Sequence, residues 1–198
     1  MNRIGALMTH GVPSEFDTMK ERAYVTFTCL PEGNHHQMQN DNSNSDSDSP
    51  GNNIDKEPTV TLLERRNLIS GSRTTGHRTW EAALHLGAYL LTDAGRALVK
   101  GKSVLELGAG TGFLAILCGK HLGARHVTTT DGDENVVDAL KENFVLNGIS
   151  GDDGKLVLAK RLWWGEELEG TWVEQDCDSY PYDVVIGADI VSICISLV

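Results

Sequence analysis

The strongest pattern in the chain is an alternation of short apolar runs with stretches of helical periodicity, confined to its second half. Residues 103–107 (SVLEL) predict a strand, residues 113–122 a helix stopped by Gly123, and residues 125–130 a second strand. The next helix opens on Asp133 as N-cap, carries Val136, Val137, Leu140 and Phe144 along one face, and ends at Asn147 and Gly148. Residues 155–159 and 183–187 supply two more strands. Strands that alternate with helices every ~25–30 residues predict an α/β fold with a mostly parallel sheet and helices on both faces.

Upstream the signals thin out. Trp80, Ala83, Leu84, Gly87, Leu90 and Leu91 are spaced as one face of a helix over 80–91. Residues 59–69 (TVTLLERRNLI) read as a β-hairpin, two short strands around a polar turn at 64–67. Residues 34–53 are almost purely Asn, Ser, Asp and Gln, which cannot bury enough apolar surface to offset the entropy of ordering, and predict a disordered linker. Before it, residues 24–30 alternate well enough for one strand. The expected organisation is an N-terminal appendage (1–33), a linker (34–58) and a catalytic-type α/β domain (59–198).

Charge narrows the function classes. The 198 residues carry 17 Lys and Arg against 28 Asp and Glu, a formal charge of −11. Such a balance argues against nonspecific nucleic-acid binding, which needs a basic footprint, and against docking on an anionic membrane. No apolar run approaches the ~20 residues of a membrane span. Cys29, Cys118, Cys177 and Cys194 fall at no metal-ligand spacing, so no metal is expected, and reduced thiols in the cytoplasm are the default.

The most informative segment is Glu106-Leu107-Gly108-Ala109-Gly110-Thr111-Gly112, placed where a strand hands over to a helix. Glycines there permit a tight turn and close backbone approach of a ligand, beside the unpaired N–H groups of the helix start. Asp131 closes the next strand, where an acidic side chain can accept hydrogen bonds from ribose hydroxyls. The spacing is G-x-G-x-G, and the position that a dinucleotide fingerprint gives to its last glycine is Phe113. Glu106, two residues before the first glycine, would repel a pyrophosphate and favour a cationic ligand. The loop therefore reads as a site for S-adenosyl-L-methionine rather than for a dinucleotide.

Five segments in order carry a resemblance: LLERRNLISGSRTTGHRTWEAALHLG (62–87), VLELGAGTGFLAI (104–116), VTTTDGDENVVDALKENFVLNG (127–148), WWGEE (163–167) and YDVVIGADI (182–190). Residues 59–190 resemble the seven-β-strand (class I) S-adenosylmethionine-dependent protein-lysine methyltransferases, most closely the subgroup that modifies eukaryotic elongation factor 2 and its fungal relatives. The resemblance implies a Rossmann-like methyltransferase sheet, methyl transfer to a protein lysine, elongation factor 2 as partner, and a monomer. Residue by residue it implies that Trp80 contacts the cofactor and that Gly108, Ala109 and Gly110 pass beneath its methionine and ribose. Glu106 would lie near the amino end, Asp131 on the ribose, Trp164 over the adenine and Ala188 alongside. Asp189 would open the D-x-x-Y signature at the substrate channel, as the catalytic residue that binds and orients lysine.

The chain departs from the family pattern at Ser192, which stands where the signature has tyrosine, and it stops six residues later. Four central strands are accounted for where the family has seven. The expectation is a sheet incomplete at the C-terminus, from a truncated product of a methyltransferase locus. A noncatalytic isoform with weak or no cofactor binding is the alternative, and a small-molecule methyltransferase a third.

Overall fold

A computed structural model describes residues 22–30, 57–65, 75–149, 157–165, 167–179 and 181–190. The expected linker up to residue 56, most of the N-terminal segment and Ser192 lie outside the described residues.

The first two strands are β1 (Arg22–Thr28) and β2 (Thr59–Arg65), which pair antiparallel from Arg22 opposite Arg65 to Thr28 opposite Thr59. This corrects the hairpin expected within 59–69. Glu64 and Arg65 continue the strand instead of turning, because Glu64 is the third inward position after Val60 and Leu62 and is itself buried. A polar side chain was a misleading turn signal where it is a buried acceptor. The partner of β2 comes from before the Asn/Ser/Asp stretch, so residues of the expected N-terminal appendage pair with the start of the expected α/β domain. Val60 and Leu62 are fully buried, and Phe27 meets Phe113 edge-to-face at 5.5 Å between ring centroids. At roughly 1.5–3 kcal/mol for each large apolar side chain, this burial fixes the ribbon to the body of the protein.

A 3-10 turn (Thr75–His77) leads into α1 (Glu81–Leu90), with Trp80 as its first cap, and then α2 (Asp93–Val99), capped by the Thr92 hydroxyl. The α/β part follows: β3 (Ser103–Leu107), α3 (Phe113–Ile116, continued by a π-helical turn Leu117–His121), β4 (His126–Asp131), α4 (Glu134–Leu146), β5 (Val157–Arg161), α5 (Trp172–Ser179) and β6 (Val184–Gly187). All four of these strands are parallel, in the order β5-β4-β3-β6. The chain steps one way from β3 to β5 and then jumps back across the sheet to β6. Right-handed crossovers therefore put α3 and α4 on one face and α5 on the other. That is the doubly wound α/β architecture expected from the alternation.

The core lies between the sheet and α3 and α4, where Val104, Val127, Leu114, Ile116, Leu117 and Leu140 are at most 1% exposed. β4 is unusually polar for a central strand, yet its buried threonines are satisfied. Thr128 donates to Asp176 of α5, Thr129 to the Glu106 carboxylate and Thr130 to the Glu106 carbonyl. The ribbon packs outside α3 and α4. Asn143 of α4 and Asn147, the cap that ends it one turn later, accept the Leu63 and Thr61 amides at 2.8 and 3.0 Å, and Asn147 also donates to the Thr61 carbonyl. No described helix is long and apolar enough to cross a membrane.

Candidate functional site

The C-terminal ends of β3, β4, β5 and β6 open together around the point where strand order reverses, the place where open α/β sheets hold ligands. After β3 the chain enters residues 108–112, where Gly108, Gly110 and Gly112 have φ of 63, 54 and 81°. Three left-handed residues within five require glycine, and this is the physical content of the G-x-G-x-G spacing. Gly112 has a second constraint: a Cβ there would sit 2.6 Å from Leu140, so the third glycine lets α3 and α4 close up. The loop is pinned from β4. Ala109 N–H donates to the Thr130 carbonyl at 2.9 Å, and Gly110 N–H to Asp131 Oδ2 at 3.1 Å.

Above this loop lies a cavity of about 430 Å³. Thr75, Gly76 and Trp80 form one wall, Asp131 to Asp133 with Trp163 and Trp164 a second, and Ala188 to Ile190 a third. A narrow side pocket of about 30 Å³ continues past Trp80, Gly108 and Gly110 down to Glu106, Arg78 and Thr79. Every residue singled out from the sequence borders one of these spaces. Trp80, Gly108, Gly110, Asp131, Trp164, Ala188 and Asp189 line the larger, while Glu106 and Ala109 line the side pocket.

Asp131 uses both oxygens locally, Oδ2 for Gly110 and Oδ1 for the Asp133 amide at 3.1 Å, so its position is set by the backbone that it organises. Trp80 donates its indole N–H to the Thr75 carbonyl at 3.2 Å, which fastens the 3-10 turn over the loop. Asp189 is exposed and is the one described non-glycine residue with positive φ, at 54°. Such a conformation is uncommon outside glycine and concentrates at functional sites. Trp163 and Trp164 are half-exposed on the outer wall; the Trp163 ring packs on Gly132, with the Arg161 guanidinium 5.9 Å from its centre.

The walls also hold residues to which the sequence pattern assigns no cofactor role, among them Thr75, Gly76, Asp133 and Trp163. Asp133, a helix cap by its place in the sequence, caps α4 through the Asn135 amide and also faces the cavity. Gly76 closes against the loop, its carbonyl lying 3.3 Å from where a Gly110 Cβ would be, and Trp163 and Thr75 complete the rim. The missing signal for Gly76 was the Thr-Thr-Gly run just before a helix, where a glycine marks close backbone approach. His77, beside it, is buried, and its Nε2 has no partner among the described residues. Burial, then the guanidiniums of Arg65 and Arg22, push its pKa down, against the carboxylates of Asp133 and Asp131.

Glu106 is 2% exposed, and burial pushes its pKa from 4.5 up to about 7 despite hydrogen bonds from the Thr129 hydroxyl at 2.5 Å and the Ala115 amide. The folded state thus keeps a proton that the unfolded chain releases near 4.5. Between those values the folded state binds more protons, so stability falls as pH rises toward about 7 and then levels. Thermal melts from pH 5 to 8 should show this fall in the wild type and its loss in Glu106→Gln. Parallel profiles for the two proteins would contradict it.

The donor set suits a cationic, adenosine-bearing ligand. The larger cavity presents three carboxylates, Asp131, Asp133 and Asp189, and among the described residues neither Lys nor Arg lines it. Its size falls in the usual range of about 300–1,000 Å³ for small-ligand sites. The side pocket, bordered by Glu106 and Arg78, has room for about one water-sized group, about 30 Å³, beside the buried carboxyl. A phosphate would meet three carboxylates in the main chamber. A sulfonium and a ribose are suited to them.

Comparison with known proteins agrees with this geometry. Residues 64–196 match the model of a family described as lysine methyltransferase. The protein-lysine N-methyltransferase EFM3 of Chaetomium thermophilum is 44% identical over 191 residues, covering 96% of this chain and 50% of that protein. EFM3 of Saccharomyces cerevisiae is 38% identical over 69% of this chain and 41% of its own length. The human protein-lysine N-methyltransferase EEF2KMT is 32% identical over 67% of this chain and 40% of its length. The chain spans half or less of the length of these relatives. The glycine loop, the acidic cavity and the family match together establish that this chain belongs to the lysine methyltransferase family, whose methyl donor is S-adenosyl-L-methionine.

Proposed function

We propose that the cavity above the glycine loop binds S-adenosylmethionine and that the protein methylates a lysine side chain of a translation elongation factor, elongation factor 2. The observation that carries this reading is the convergence of all nine sequence-selected residues on two adjoining spaces whose charges match that cofactor. The elongation factor rests on the motif resemblance, strongest toward the subgroup that modifies elongation factor 2. Such a substrate puts the protein, acting as a monomer, in the cytosol.

When bound, S-adenosylmethionine supplies a methyl group activated by a sulfonium. Around it, the backbone of Gly108, Ala109 and Gly110 forms the floor, and the free lone pairs of Asp131 accept the ribose hydroxyls. Trp164 covers the adenine, Trp80 and Ala188 bound the methionine side, and Glu106 faces the amino group. Asp189 receives the substrate lysine. A lysine of pKa ~10.4 must lose a proton first, which at pH 7 costs about 4.6 kcal/mol. A carboxylate at the cavity mouth recognises the ammonium but also raises its pKa, so Asp189 serves binding and orientation, and the proton leaves through solvent. Fixing the amine in line with the methyl group accounts for the rate in such a displacement.

The test has two parts. Calorimetric titration of the purified protein with S-adenosylhomocysteine should show one saturable site. Incubation with radiolabelled S-adenosylmethionine and a lysate lacking the enzyme should label elongation factor 2 on lysine. No binding heat would refute the cofactor site, and label confined to small molecules or to other proteins would refute the substrate.

A further inference from the structure

The ribbon of β1 and β2 stands outside the parallel sheet, yet two adjacent residues of β2 reach the glycine loop. Glu64 is 7% exposed at the end of the inward row Val60, Leu62, Glu64. Its Oε1 accepts the Thr79 amide at 3.2 Å and the Thr79 hydroxyl in a short hydrogen bond. The Thr79 hydroxyl is in turn 2.7 Å from the Thr111 hydroxyl. Polarity along this line is fixed. The oxygen that takes the amide N–H is an acceptor, so the Thr79 hydroxyl spends its one proton on it and must accept from Thr111. The neighbouring residue acts through the opposite side: Leu63 N–H donates to Asn143 Oδ1 at 2.8 Å, and Asn143 Nδ2 donates to the Thr111 carbonyl at 2.9 Å. Thr111 is thereby held at both its hydroxyl and its carbonyl.

Thr111 sits between Gly110 and Gly112, both left-handed, in a segment with more backbone freedom than any other residue type would give it. A loop of that kind needs outside restraint to present its amides in one arrangement. Thr79 directly precedes Trp80, the cavity wall, so the same carboxylate also fixes where α1 begins. From this geometry we infer that Glu64 is a positioning residue of the cofactor site, acting through Thr79 and Thr111 on the glycine loop and on Trp80. The inference rests on the reading of the cavity as the S-adenosylmethionine site. It makes the N-terminal ribbon a working part of that site.

Glu64→Ala and Thr79→Val should each weaken S-adenosylhomocysteine binding about tenfold, and the double variant should be no weaker than either single one, because both cut one line of coupling. Glu64→Gln keeps an acceptor oxygen and should return affinity to within about twofold of wild type. In the same proteins, the Gly110 amide and Trp80 indole N–H resonances should shift in Glu64→Ala and Thr79→Val and return in Glu64→Gln. If Glu64→Ala does not fold, Thr79→Val and Glu64→Gln carry the comparison. Additive losses, or Glu64→Gln behaving as Glu64→Ala, would overturn the inference. A wild type that ignores S-adenosylhomocysteine would overturn the reading of the cavity instead. The resonances would still decide the coupling, and unmoved Gly110 and Trp80 signals would refute it.

Discussion

Asp131→Ala is expected to reduce S-adenosylhomocysteine affinity by about a hundredfold or more, the largest binding loss of any single substitution in this site. A hydrogen bond to a charged group contributes about 1.5–3 kcal/mol, and two ribose hydroxyls on one carboxylate therefore account for about 3–6 kcal/mol. The same side chain has structural work. It accepts the Gly110 amide and the Asp133 amide, so its removal frees the loop on one side and the start of α4 on the other. Asp131→Asn separates the contributions: it keeps an acceptor for one amide, loses the charge, and should fall between wild type and alanine. Calorimetry with wild type as reference measures all three. Affinity within about threefold of wild type in Asp131→Ala would place the ribose elsewhere.

The second large effect is on transfer rather than binding. Asp189→Asn should lower lysine methylation by about a hundredfold or more while leaving S-adenosylhomocysteine affinity within about threefold. Asparagine is the informative replacement because the residue has φ of 54°, a region that Asn tolerates and Ala does not. The variant therefore removes the charge without disturbing the backbone between β6 and the cavity wall. A loss of kcat with cofactor binding intact is the signature of a group that meets the substrate amine. Methylation at the wild-type rate would remove Asp189 from the reaction, and equal losses of binding and rate would make it part of the cofactor wall alone.

Much of this site could be read from the order of residues, because its parts are local. The strand, the three glycines and the acid at the end of the next strand lie within 29 residues, and each announces itself by a backbone requirement or a charge. What escaped was non-local or lacked an amphipathic signal. β1 finds its partner across the polar 34–53 segment, and no pattern in either strand names the other. Glu64 reads as a turn position because the group that donates to it, Thr79, lies 15 residues on in chain order, and Thr111, which bonds Thr79, a further 32. α5 has no buried residue and no apolar stripe, so periodicity was silent, although Asp176 ties it to the sheet through Thr128. The helix expected over 113–122 is present, but its π-helical second half follows from packing that spacing alone does not encode.

The two asparagines at the end of α4 have a consequence for the company that this chain keeps. One helical turn from Asn143 to Asn147 advances about 6.0 Å, close to the ~6.7 Å between alternate residues of a strand, so a helix can dock on β2 as if it were a neighbouring strand. Exposed strand edges recruit further strands and seed aggregation. Here the outward amides of Thr61 and Leu63 are already occupied by side chains, and the antiparallel partner takes the other edge. On the β2 side, the ribbon is closed to a further strand.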